Sequence, residues 1–204
     1  MIYTTAIHGN EPIPVFSLAS IGVNQLICNY QALSQNQRYL KKDMNQSFGT
    51  RGNTLEELRA KEILKLIPKS EIVVDLHTMS AKSEPFAIVV DLKMVPLAAT
   101  TGLKHIVYMS HNIKSGHSLI DHRNGISIEV GNHLDQQSFE TTKNIYNNIK
   151  NKIKGSFTLY EVYGVINKNG KYQNFKMHSS GFIPVLAGET AYNILGLKAK
   201  IINI

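Results

Sequence analysis

Apolar positions along this chain recur with two different periods, and the switches between them mark its elements. Ile2 to Ile7 reads as a short strand that delivers the chain into His8-Gly9-Asn10-Glu11, and Pro14 to Ile21 reads as one or two turns of helix. Thr54-Leu55-Glu56-Glu57 has the form of a capping box, and Leu58, Ile63, Leu64 and Ile67 supply an apolar face until Pro68 ends the helix. Glu71 to Leu76 is a short β-branched run of the kind buried on both faces of a sheet, and it ends at His77. Phe86 to Val90 and Ile106 to Met109 are further strand candidates.

Ile126, Ile128 and Val130 alternate with Ser127, Glu129 and Gly131, which predicts a strand with a carboxylate on its second face. Phe139, Thr142, Ile145, Tyr146, Ile149 and Ile153 then recur at helical spacing before Gly155. From Ser156 the pattern breaks into short strand-like pieces separated by Asn167-Lys168-Asn169-Gly170, Ser179-Ser180-Gly181 and Ala187-Gly188. The expectation is an α/β unit over residues 1–155, a sheet flanked by helices, followed by a small β-rich C-terminal domain over residues 156–204. In such sheets ligands collect where strands end, and His8 with Glu11, His77 and Glu129 all fall at or just beyond predicted strand ends.

Composition narrows the picture without deciding it. A chain of 204 residues, 43% hydrophobic, buries a sizeable core. No apolar run reaches the roughly 20 residues needed to cross a bilayer, and the first residues lack the pattern of a signal peptide, so a cytoplasmic protein without membrane contact is expected. Cys28 is the only cysteine, which excludes an intrachain disulfide and a multi-cysteine metal site. The formal charge of +7 comes from dispersed lysines rather than an arginine-rich block, so no nucleic acid is expected as a partner.

His8 and Glu11, three residues apart, can point an imidazole and a carboxylate at one ion, although such a pair also arises by chance. His77 sits where the sheet should give way to a polar site; the alternative is a loop histidine bonded to neighbouring backbone. Two histidines and one glutamate form the ligand set of catalytic zinc sites that keep a position open for water. Glu129, on a strand otherwise made of isoleucine and valine, is the candidate acid/base, its alternative being an exposed residue on an edge strand. Asp75 is a candidate for orienting a ligand histidine or for capping backbone.

His8-Gly9-Asn10-Glu11, Arg38-Tyr39 with Asp43-Met44-Asn45, Asp75-Leu76-His77-Thr78 and Gly125-Ile126-Ser127-Ile128-Glu129-Val130-Gly131 together resemble the aspartoacylase and succinylglutamate desuccinylase family. The resemblance implies a zinc-carboxypeptidase-like α/β fold with a C-terminal β-rich domain, and cleavage of the amide bond of an N-acylated acidic amino acid, such as N-acetyl-aspartate. It implies one zinc ion per chain on His8, Glu11 and His77, Glu129 as general acid/base, and Arg38 polarising the scissile carbonyl. Pro184 to Tyr192 resembles the family segment whose tyrosine contacts the substrate carboxylate, a role that falls on Tyr192, with Asn45 also on the substrate. In the family an arginine follows that asparagine and grips a substrate carboxylate; here the residue is Gln46, which lacks the charge. Arg51 and Arg123 are candidates to replace it. A desuccinylase-like or carboxypeptidase-like hydrolase, or a binding module of this fold without turnover, stays open beside the leading reading, as does a homo-oligomer.

Overall fold

The structure is a computed structural model that describes residues 1–109 and 116–203. Its frame is one nine-stranded mixed sheet, and the β-branched runs account for its centre. β1 (Ile2–Thr5), β2 (Gln25–Ile27), β3 (Val73–Met79), β4 (Phe86–Val89), β5 (His105–Tyr108), β6 (Gly125–Asn132), β7 (Thr158–Val165), β8 (Ile183–Val185) and β9 (Leu197–Ile202) stand in the order β2-β1-β3-β6-β4-β5-β7-β9-β8. The pairs β1/β2, β1/β3, β3/β6, β4/β5 and β5/β7 are parallel. β4 runs antiparallel to β6, and β9 runs antiparallel to both β7 and β8.

Every residue of β3 is buried, Asp75, His77 and Thr78 included, as expected of a strand covered on both faces. The period of two then sorts side chains between those faces. Val74, Leu76, Ile126, Ile128 and Val130 point into a core closed by Leu18 of α1 (Ile13–Ser20), Val95 and Ala98 of α4 (Val95–Ala99), and Ile145 and Ile149 of α6 (Gln137–Lys150). On the opposite face, Val73 packs with Ala60 and Ile63 of α3 (Leu55–Leu66) and Leu119 of α5 (Leu119–His122). Further along that face Phe86, Ile88, Val107 and Ile120 pack against Tyr160, Ile183, Leu186 and Leu197. Among the described residues no helix is long and apolar enough to cross a membrane.

The capping box at Thr54 is present in full: the Thr54 side chain accepts from the Glu57 backbone, and the Glu57 carboxylate accepts from the Thr54 backbone. Two features differ from the pattern in the sequence. β3 does not stop before His77 but continues to Met79, because its backbone keeps a partner in β6 up to Met79 opposite Asn132. Three short elements carry no periodic signal: β2, α2 (Tyr30–Ser34) and α4 each have too few residues to show one. Residues beyond 156 contribute β7, β8 and β9 to the same sheet, with β7 on β5.

Candidate metal centre

The site begins where β1 leaves the sheet. Ala6 adopts a positive φ of 51°, which turns the chain out of the strand direction, and a tight turn closes from the Glu11 amide to the His8 carbonyl at 3.2 Å. Gly9 lies against α2 so closely that a Cβ there would meet the Ala32 carbonyl carbon at 2.1 Å, so only glycine fits this turn. His77 and Glu129 arrive differently. Parallel pairing of β3 and β6 puts them side by side in register, on the face they share with Asp75 and Ser127.

These elements bring His8, Glu11 and His77 together with one nitrogen or oxygen donor from each, all within 4.8 Å of one another. The relative exposures are 3%, 1% and 2%, so a carboxylate and two imidazoles are all removed from bulk water. His8 Nδ1 is 2.6 Å from Glu11 Oε1, and His77 Nδ1 is 3.0 Å from Glu11 Oε2. Each remaining ring nitrogen meets an outer carboxylate: His8 Nε2 is 3.1 Å from Asp43 Oδ1, and His77 Nε2 is 2.8 Å from Asp75 Oδ2. Asp75 also accepts from Thr4 Oγ1 at 2.7 Å, so its side chain holds a ring and a hydroxyl rather than capping backbone.

Electrostatics follow from this packing. Burial by itself pushes the Glu11 carboxyl up and the His77 imidazolium down. The charges of His8 and His77 reverse the first effect and hold Glu11 well below the usual carboxylate range. Asp75 and then Glu11 reverse the second and hold His77 well above the usual histidine range. Both Nδ1 atoms thus lie within hydrogen-bond distance of one carboxylate, and a divalent cation in that space would meet all three donors. The set of two imidazole nitrogens, one carboxylate and outer carboxylates that orient the rings suits zinc.

Glu129 lies beside this trio and is only partly accessible, and its Oε2 is buried without a hydrogen-bond partner. Burial pushes its carboxyl up to about 8; His77 and Arg38 pull it down, while Glu11 and Glu189 raise it. A carboxyl that titrates near neutrality, with an unpartnered oxygen, is equipped to exchange a proton. Arg38 completes the group, with Nη2 3.2 Å from Asp43 Oδ2, Nη1 3.6 Å from Glu11 Oε1, and its guanidinium 5.6 Å from the centroid of the Tyr192 ring. Asn45 and Tyr192 line the same pocket as His8, His77 and Glu129.

The family model described as the succinylglutamate desuccinylase/aspartoacylase catalytic domain matches residues 1–153, three quarters of the chain. The chain belongs to this family. No curated protein sequence matches it. Among solved structures, the succinylglutamate desuccinylase of Chromobacterium violaceum is similar at TM-score 0.73 and 16% identity, covering 100% of this chain and 84% of that one. Murine aminoacylase 3 is similar at TM-score 0.74 and 19% identity, covering 98% of this chain and 95% of that one. The desuccinylase of Vibrio cholerae gives TM-score 0.74 and 14% identity over 100% and 81%. Likeness at such identities shows a shared fold, the mixed-sheet fold of the desuccinylase and aspartoacylase family.

Other candidates within this family member do not reach the pocket. Gln46 is exposed and absent from the pocket lining, while its neighbour Asn45 points in. Arg51 is exposed. Arg123 is committed to the end of α3, where Nε donates to the Ile67 carbonyl at 2.8 Å, Nη2 to the Leu64 carbonyl and Nη1 to the His122 carbonyl at 2.7 Å.

Three residues with no role read from the sequence prove close to the centre. Asp43 bridges His8 and Arg38. Glu189 reaches across 109 positions to accept from the Ser80 amide at 2.8 Å and the Ser80 hydroxyl at 2.7 Å. His133 Nδ1 is 2.7 Å from the Thr78 hydroxyl, directly after His77. Asp43 and Glu189 stood inside motifs that mark the family; His133 carried no signal, since only the end of β6 places it there.

Proposed function

We propose that this family member is a zinc-dependent hydrolase of linear amides, cleaving an N-acyl amino acid to a carboxylate and a free amino acid. The observation that carries the reading is the meeting of three donors from positions 8, 11 and 77 within 4.8 Å, with Glu129 beside His77 across β3 and β6. His8, Glu11 and His77 would hold the ion, and Asp43 and Asp75 would fix the two ring orientations through Nε2. When bound there, zinc polarises a carbonyl oxygen and makes water a stronger acid.

Everything else falls to the chain. Glu129, raised to about 8, takes a proton from the attacking water and returns it to the departing nitrogen, which needs one carboxyl in both protonation states near neutral pH. Arg38 sets a fixed cation at the edge of the trio, where charge develops on the carbonyl oxygen as water adds. Tyr192 and Leu186 line the pocket from the C-terminal side, so we take residues 156–204 as the part of the protein that roofs the site. A silent binding module of the same fold is disfavoured by Glu129, whose buried unpartnered oxygen is a cost that binding alone does not require.

The test is metal analysis of the purified protein together with release of free amino acid from a panel of N-acyl amino acids. One equivalent of zinc and turnover abolished by chelation and restored by zinc is the expected result. Full activity in metal-free protein would remove the proposal.

A further inference from the structure

Part of the pocket lining is apolar, and this bears on what it takes. Beside His8 and His77 it is lined by Ile88 from β4, Val90 and Met109 just beyond β4 and β5, Ile120 from α5 and Leu186 from the C-terminal segment, with the hydroxyls of Ser118 and Ser127 in the same lining. The acidic groups that face it are Asp75 and Glu129, and no lysine or arginine is among the described residues that line it. Arg38 stands outside that lining, engaged with Asp43 and Glu11. Arg123 is spent on carbonyls at the end of α3, and Gln46 and Arg51 are exposed. A carboxylate set against this apolar side would lose its water, meet no lysine or arginine among the described lining residues and lie near the carboxyl groups of Asp75 and Glu129, whereas a branched hydrocarbon would cover buried apolar surface.

We propose that the substrate group seated against the apolar lining of this pocket is uncharged and aliphatic, either the acyl chain or the amino-acid side chain, rather than a second carboxylate. The inference rests on the hydrolase reading for which half of which molecule enters, but not for the chemistry of the wall.

The test has two arms with zinc-loaded protein. In the first, N-acetyl-, N-isovaleryl- and N-succinyl-glycine vary the acyl group; in the second, N-acetyl-leucine and N-acetyl-aspartate vary the side chain. In at least one arm the aliphatic member should exceed the acidic one by about 100-fold in kcat/KM, and that arm identifies the half of the substrate that fills the pocket. Equal rates, or preference for the succinyl and aspartyl compounds, would overturn the inference and leave the hydrolase reading standing.

If nothing in the panel is hydrolysed, the hydrolase reading falls and binding decides the rest. Metal-free protein titrated with isovalerate, leucine, succinate and aspartate, followed by ligand-observed NMR, should favour the aliphatic pair. Ile88→Ala should weaken that pair by about tenfold and leave the acidic pair unchanged. No measurable preference would refute the apolar pocket without reference to turnover.

Discussion

Replacing Glu129 by glutamine separates the proton carrier from the metal donors, and the structure sets the size of the effect. Glutamine has the shape of the protonated acid, so the fold and the three donors should be undisturbed and the metal content unchanged. Turnover should fall by about 10²- to 10⁴-fold, the usual contribution of a positioned acid/base. Stability supplies a second readout in metal-free protein. The Glu129 carboxyl moves from 4.5 to about 8 on folding, so the folded protein holds this proton more tightly than the unfolded chain.

A raised carboxyl contributes its stability fully below pH 4.5 and loses it as pH rises through 8. The unrelaxed loss is about 5 kcal/mol over that window, and entry of water through the open side of the pocket reduces it to about 2 kcal/mol. The variant lacks this penalty. Urea unfolding of both proteins at pH 5 and pH 9 should therefore show glutamine gaining on the native protein by about 2 kcal/mol at the higher pH. The double difference cancels groups common to both proteins. A difference that is the same at both pH values would refute the assignment of a high proton affinity to Glu129.

Other substitutions test the remaining parts of the arrangement. His77→Ala should lower bound zinc from one equivalent to a small fraction, and elemental analysis that still finds a full equivalent would place the ligand elsewhere. Asp43→Asn keeps the hydrogen bond from the Asn45 amide but removes the charge behind His8, so zinc affinity measured by competition with a chelator should drop by about 10- to 100-fold. Arg123→Ala strips a cation from three carbonyls around the end of α3 and should cost about 2 kcal/mol in urea unfolding with kcat/KM unchanged. A rise in KM with unchanged stability would return Arg123 to the substrate.

The strong apolar runs were readable because period alone separates a sheet face from a helix stripe, so β3, β6, α3 and α6 stand out from the chain. The meeting of His8, Glu11 and His77 was anticipated from donor type and position at strand ends, and their Nδ1 geometry is the part only the fold supplies. Glu129 stood out for the same reason as β6, as a carboxylate that breaks an otherwise β-branched strand, a pattern that equally fits an exposed residue on an edge strand, and its register beside His77 is supplied by the fold. Arg123 illustrates what remained hidden. A single arginine carries no mark of whether it faces substrate or the last turn of a helix, and that depends on β6 starting next to the end of α3. Glu189 and Ser80 were equally unreadable as partners, because pairing across 109 positions leaves no local pattern.

The grip of Glu189 on the Ser80 and Ala81 amides constrains how molecules come and go. The short run from Thr78 to Ala81 is held at one end by Glu11, through the Thr78 amide, and at the other by Glu189. Swinging the tail outward to admit a ligand would tear several hydrogen bonds that begin three residues after His77. Traffic through the pocket must then use a route that leaves this hasp fastened, and release of products should be insensitive to motion of the polypeptide around Glu189.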